Sequence, residues 1–289
     1  MKIGVFVPDN NEEHLDVLLA FTKGIIACGH DPIVYAVTDY QPVDLAVVFG
    51  VGKKDVPISW PREHVIQSQH LRKKHVIILE KGFIKRDKYY MVGFDGLNNK
   101  ADFANGGSPP DRWNNLGVKI KPWTTNGKNI LVCGQVPSDA SVQNVDIIQW
   151  CAYAISQIKK ITERTIVFRP HPLAINRTPA IIGASYSTNT FEDDLRNSMA
   201  VVTYNSNAAT DAILGGVPAF TFDAGSMTWD ITSHNINDIN NPHYPLKEDL
   251  QQWANNIAYT QWNKEEMECG LPWLHLTGLK ASNTERMIG

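Results

Sequence analysis

The chain has 289 residues, enough for two domains that each bury their own core. A 43% hydrophobic and 20% charged composition is that of an ordinary soluble globular protein, and no apolar run approaches the ~20 residues needed to span a bilayer. The net charge of −3 argues against a protein that grips nucleic acid along a basic track. Four scattered cysteines (Cys28, Cys133, Cys151, Cys269) form no Cys-x-x-Cys pair, which fits reduced thiols in a cytoplasm and not a zinc site or disulfide framework.

The N-terminus, Met1 to Val7, is too short an apolar run for a signal peptide and reads as a first strand, followed by a turn over Pro8 to Asn11. From Glu12 to Cys28, apolar residues at Leu15, Leu18, Leu19, Ile25 and Ile26 have the spacing of an amphipathic helix that stops at Gly29. Strands follow over Pro32 to Val37, Asp44 to Gly50 and His75 to Glu80, separated by helix-length segments that imply parallel pairing with crossovers. Residues 95 to 129 carry many glycines and prolines and read as a long loop and interdomain link. The pattern then restarts. A strand over Asn129 to Gly134 leads to a helix over Val142 to Ile161 and a strand over Thr165 to Phe168. A short helix over Phe191 to Ser198 precedes a strand over Val201 to Thr203, a helix over Ala208 to Leu214 and a strand over Pro218 to Phe222. The tail from Leu246 to His275 is helical and rich in tryptophan (Trp253, Trp262, Trp273), as core aromatics usually are. The fold class is therefore α/β: two doubly wound, Rossmann-like domains, 1–125 and 126–289, with the active site expected in the cleft between them.

Two strand ends of the second half carry the chemistry. The run Tyr204-Asn205-Ser206-Asn207 links a buried strand to a helix start, a geometry in which backbone N–H groups and short polar side chains face an anion; Thr210 and Asp211 lie on that helix. Upstream, Arg169-Pro-His171-Pro ends another strand in a rigid turn, offering a guanidinium and an imidazole to a phosphate. Gly134 and Gln135 follow the first strand of this half, where a loop could touch the same ligand. Each feature also has a structural reading: His171 as a turn cap, and Asn205 to Asn207 as an ordinary helix N-cap. The acidic run Glu192-Asp193-Asp194 opens a helix and reads as structural, not as a metal motif.

Three segments resemble bacterial glycosyltransferases of the GT-B class. Phe168-Arg-Pro-His-Pro172 is similar to the His-Pro motif of sialyl- and Kdo-transferases, whose histidine contacts the donor phosphate. Tyr204 to Pro218 is similar to the Ser-rich turn and helix of capsule and Kdo transferases, and also to the matching segment of CDP-glycerol-type polymerases. Leu79-Glu-Lys-Gly-Phe-Ile84 resembles the acidic-x-Gly segment that supplies the general base, although Lys81 stands where that motif usually has a second acid.

The resemblance implies transfer of a sugar from a nucleotide-activated donor to an acceptor hydroxyl, on a surface glycan or on a hydroxymethylated DNA base of the phage type. The transition state is oxocarbenium-like and charge builds on the leaving phosphate, so donors must be preorganised there. No metal or cofactor is required if Arg169, His171 and the 204–207 turn neutralise that charge. A carboxylate must take the acceptor's proton: Glu80 is the first choice and Asp95, in Phe94-Asp-Gly96, the second. The alternatives are a CDP-glycerol-type glycerophosphotransferase, a sugar-nucleotide epimerase, and a non-enzymatic nucleotide-sugar-binding module.

Overall fold

The computed structural model describes residues 1–8, 10–53, 56–124 and 126–278, so Asp9 of the expected first turn lies outside the described residues. The chain runs β1 (Ile3–Val7), α1 (Glu12–Ala27), β2 (Ile33–Ala36), β3 (Leu45–Phe49), α2 (Trp60–Leu71), β4 (His75–Lys81), β5 (Tyr90–Phe94) and α3 (Asp111–Leu116). It continues through β6 (Asn129–Cys133), α4 (Ile147–Ile161), β7 (Ile166–Arg169), β8 (Ser185–Tyr186), α5 (Phe191–Arg196) and β9 (Ser198–Thr203). It ends with α6 (Ala208–Leu214), β10 (Ala219–Thr221), α7 (Lys247–Ala258), β11 (Gln261–Trp262), α8 (Lys264–Glu268) and α9 (Leu271–Thr277). Among the described residues, no helix is long and apolar enough to cross a membrane, and the four cysteines are free thiols.

Two compact units result, Met1–Pro109 together with the stretch from Asn256 onward, and Pro110–Asn255. This corrects the expected boundaries of 1–125 and 126–289, because the end of the chain returns to the first unit. The physical reason lies on α1. A Cβ at Gly24 would stand 1.9 Å from the Met267 carbonyl oxygen, so only glycine lets the backbone of α8 approach this closely. Trp273 of α9 is fully buried beside Phe21, their rings 6.4 Å apart, and β11 pairs antiparallel with the edge strand β5.

The first unit has a six-stranded sheet of order β11-β5-β4-β3-β1-β2, in which β2, β1, β3 and β4 run parallel. Every residue of β3 is buried, as expected for a central parallel strand covered on both faces. One face packs Val5, Leu18, Phe21, Val47 and Leu79 together, and the other packs Phe6, Val48, Val65 and Ile78. Each such side chain contributes about 1.5–3 kcal/mol on burial. The four strands read from the sequence pair in parallel as expected, and β5, which was not among them, does not. The connection from Lys81 to Tyr90 is too short for a crossover, so β5 turns back antiparallel to β4.

The second unit has a five-stranded, wholly parallel sheet of order β10-β9-β6-β7-β8. Ile130, Val132, Ile155, Phe168, Val202 and Phe220 share one core on its face. Strand order reverses direction between β6 and β9 here, and between β1 and β3 in the first unit. Ligands of doubly wound sheets bind outside the carboxyl ends of strands at such reversals.

Candidate functional sites at the carboxyl ends of the two sheets

In the second unit the carboxyl ends of β6 and β9 are tied by side chains. The Gln135 amide is engaged there: its Nε2 donates to Asn205 Oδ1 at 2.7 Å, and its Oε1 accepts from Asn205 N at 3.1 Å. Asn205 Nδ2 donates onward to the Ser141 carbonyl (2.9 Å) and to Asp223 Oδ1 (3.0 Å). Both amides are buried, and a buried amide stays only where its polar atoms are satisfied. Gln135 and Asn205 therefore build the floor of the reversal and are not presented as ligand contacts, which corrects the sequence expectation for both. Tyr204 packs its ring edge-on to Trp150 at 5.4 Å, and its carbonyl accepts from Phe222 N and Asp223 N. Thr210 is buried inside α6, and the Gly134 N–H donates to the Arg169 carbonyl. These three are also structural.

Arg169 is the largest departure. Its Nη1 donates to Asp194 Oδ2 at 2.9 Å and to the Asn189 carbonyl at 2.7 Å, with the Asp194 side chain 3% exposed. Ser187 and Asn189 also donate to the Asp194 carboxylate, and the guanidinium lies over the Phe191 ring. The guanidinium expected to hold a phosphate instead anchors the 187–194 segment. Asp194 thereby has the structural role read from sequence, with a buried cation as its partner.

The other candidates at this edge are His171, Ser206, Asn207 and Asp211. His171 caps the helical turn Pro172–Arg177: its Nδ1 accepts from Leu173 N at 3.2 Å. With Nδ1 accepting in the cap, Nε2 is the ring nitrogen that can carry a hydrogen. The cap reading and the donor reading are thus compatible. Ser206 and Asn207 are half-buried in the turn before α6, and Ser206 Oγ accepts from Ala208 N. Asp211 is exposed one turn into α6, within 3.5 Å of the Asn207 amide.

In the first unit Glu80 is half-buried at the end of β4, beside the β1/β3 reversal. It accepts from the Lys81 backbone N–H, and Arg62 of α2 lies close enough for their charges to interact. A Cβ at Gly50 would fall 2.8 Å from Arg62 Nη1 and 3.2 Å from Glu80 Oε2, so this glycine leaves room for both groups. Arg62 also donates to the Phe49 carbonyl at 3.2 Å. His14, in the first turn of α1, stacks on Phe49 with ring centroids 3.9 Å apart. Burial, then the nearby Arg62 charge, pulls the His14 pKa down to about 4, and among the described residues its buried Nδ1 has no hydrogen-bond partner. Lys81 bonds to Glu13, which also accepts from Tyr90 Oη at 3.0 Å. Lys81 holds the Glu13 carboxyl below its ordinary range, while burial raises the Tyr90 phenol to about 12.

Asp95 is at the other end of the sheet. It follows β5, which runs opposite to β4, so it stands at the amino edge of β4: it accepts from Val76 N at 2.8 Å and from His75 Nδ1 at 2.5 Å. This side chain clamps a strand start and shares no site with Glu80, which corrects its placement as second candidate base. His14 and Arg62 were not singled out from the sequence. The signal for His14 was available, because Asn11 caps α1 directly after a strand end and puts His14 on the first turn. Among the described residues, no group of three or more His, Cys, Asp or Glu side chains gathers as a metal ligand set would.

No known family profile matches the chain, and no curated protein sequence matches it. Solved structures do. A KpsC β-Kdo 2,4 transferase from Thermosulfurimonas dismutans is 13% identical with a TM-score of 0.57, covering 89% of this chain and 90% of that one. The KpsC β-Kdo 2,7 transferase of the same organism is 14% identical with a TM-score of 0.53, covering 95% and 99%. At such identities the likeness establishes the fold. The chain has the GT-B architecture of two Rossmann-like units, as the resemblance implied.

Proposed function

We propose that this chain is a glycosyltransferase that moves a sugar from a nucleotide-activated donor to a hydroxyl of a glycan acceptor. The observation that carries the proposal is the fold shared with two β-Kdo transferases over nearly the whole chain. The polar residues at both strand-order reversals support it. In this reading the second unit holds the leaving phosphate through neutral donors, the Nε2–H of His171 and the side chains of Ser206 and Asn207. The buried Gln135–Asn205–Asp223 network holds the turn that carries Ser206 and Asn207 in place. Preorganised donors of this kind stabilise charge that develops only as the sugar–phosphate bond breaks. Glu80 takes the acceptor's proton as general base, with the Arg62 guanidinium close enough for their charges to interact. Transfer proceeds without a metal.

A glycan acceptor fits better than a hydroxymethylated DNA base, because the net charge is −3 and the similar structures act on Kdo-containing chemistry by their names. One observation favours a second reading, a nucleotide-sugar-binding module without turnover: Arg169, Gln135 and Asn205 are all committed to internal partners. The test is a thermal-shift screen against UDP-, GDP-, CDP- and CMP-sugars with mass spectrometry of products, repeated in EDTA. Stabilisation by one donor with sugar transfer or slow hydrolysis, unchanged by EDTA, is the expected result. Stabilisation without any turnover would establish the binding module instead.

A further inference from the structure

A separate cavity of about 700 Å³ lies within the second unit, formed by α3, the strap from Gly117 to Trp123 and the start of α7. The strap is fixed along its length: Lys121 N donates to the Leu214 carbonyl at 3.0 Å, and Thr124 N to the Gly216 carbonyl at 2.7 Å. Its volume is that of ligand-binding clefts, which run from about 300 to 1,000 Å³.

The lining combines three kinds of group. Trp113 and Trp123 supply flat aromatic surface, and Trp123 is braced edge-on by Tyr244 at 5.4 Å. Lys119, Lys121 and Lys247 supply three exposed ammonium groups that make no ion pair among the described residues. Asn114 supplies an exposed amide, both donor and acceptor, and Gln251 an exposed amide whose Nε2 already donates to Asn255 Oδ1 at 2.9 Å. None of the lining residues is acidic; Glu248 and Asp249 follow Lys247 but do not line the cavity. Three like charges around one concavity repel one another and focus a positive potential into it. A bound anion removes that repulsion.

We infer that this cavity binds an acidic oligosaccharide, a short run of carboxylate-bearing sugar rings. The apolar face of a pyranose stacks on an indole, amides pair with adjacent hydroxyls, and the lysines meet the carboxylates. A nucleic acid would also offer rings and negative charge, but its phosphates need a track of cations, and the three lysines here gather around one concavity in a chain of net charge −3. The inference does not rest on the transferase reading, since binding here involves neither Glu80 nor His171.

The test is binding, followed by tryptophan fluorescence and calorimetry, of trigalacturonate, maltotriose, tripolyphosphate and a short oligothymidylate to the full chain. Trigalacturonate is expected to bind at least tenfold tighter than maltotriose and tripolyphosphate, and to weaken with added salt. The K119A/K121A double variant should lose at least tenfold in affinity at an unchanged melting temperature, with K119R/K121R restoring most of it. The control K159A/K160A, on exposed lysines of α4, should bind as the parent does. Equal binding of maltotriose, tighter binding of tripolyphosphate or oligothymidylate, failure to bind trigalacturonate, or an unaffected K119A/K121A variant each overturns the inference.

Discussion

Replacing Arg169 by alanine separates the two roles this residue could have. In the structure its guanidinium is the cationic partner of Asp194, whose side chain is 3% exposed, and it also holds the Asn189 carbonyl. Removing one member of a buried pair costs about 3–5 kcal/mol, because the other charge is left without compensation. Asp194 keeps donors from Ser187 and Asn189, which places the loss near the lower end of that range. Loss of the contact over the Phe191 ring adds about 0.5–1 kcal/mol. At roughly 2–4 °C per kcal/mol for a unit of this size, the melting temperature should fall by about 10 °C. Asp194→Asn in the Arg169→Ala background should recover part of the loss, since it removes the orphaned charge. Thermal melts and urea titrations followed by tryptophan fluorescence measure both variants against the parent. If Arg169→Ala melts like the parent and loses donor affinity instead, the guanidinium serves the ligand and the anchoring role is wrong.

Three further outcomes are expected. Glu80→Gln should keep donor stabilisation within about twofold and reduce transfer by about a hundredfold or more, read from initial rates of product formation; full activity would remove Glu80 as the base. Gly24→Ala should destabilise the protein by about 1–3 kcal/mol by overpacking against the Met267 carbonyl, although helix propensity alone predicts a gain of up to about 1 kcal/mol; an unchanged urea midpoint would show that α8 yields. His14 binds its proton less readily in the folded chain than in the unfolded one, so its contribution is present above its ordinary value of 6.5 and is lost as the pH falls toward about 4. His14→Phe, which keeps a ring against Phe49, should therefore flatten the fall in urea midpoint across that window, and an equally steep fall would assign the acid sensitivity elsewhere.

Much of the architecture was legible because the strands are fully buried and read as continuous apolar runs bounded by turn signals. The Asn205 segment and the Ala208–Leu214 helix fall where the pattern put them, and the tail tryptophans are core residues. The antiparallel β5 and β11 were not legible, since a short edge strand carries the same residues in either direction. The unit boundary was hidden for a different reason. Gly24 in a helix looks like a mild fault in propensity, and only the approaching α8 backbone shows why it is there. At the sites, residue type was the weak point. Arg169, Gln135 and Asn205 were correctly placed at strand ends, but a sequence does not reveal that their donors are consumed by Asp194, by each other and by Asp223.

That consumption has a consequence for how the second unit would work. A strand-order reversal opens a crevice beyond the carboxyl ends of the paired strands β6 and β9, and backbone polar groups lining it would be left unsatisfied unless water or side chains filled it. Here one glutamine–asparagine pair fills it with reciprocal hydrogen bonds, and Asp223 after β10 joins the same network. Three strand ends are thereby fixed relative to one another by side chains and not by the sheet ladder alone. Ser206 and Asn207 come directly after Asn205, so their positions inherit that rigidity. A site built this way holds its donors in place before the ligand arrives, which is the arrangement that favours a developing charge over a resting one. On the proposed reading, the buried residues act on the chemistry through position, and the half-exposed ones next to them through contact.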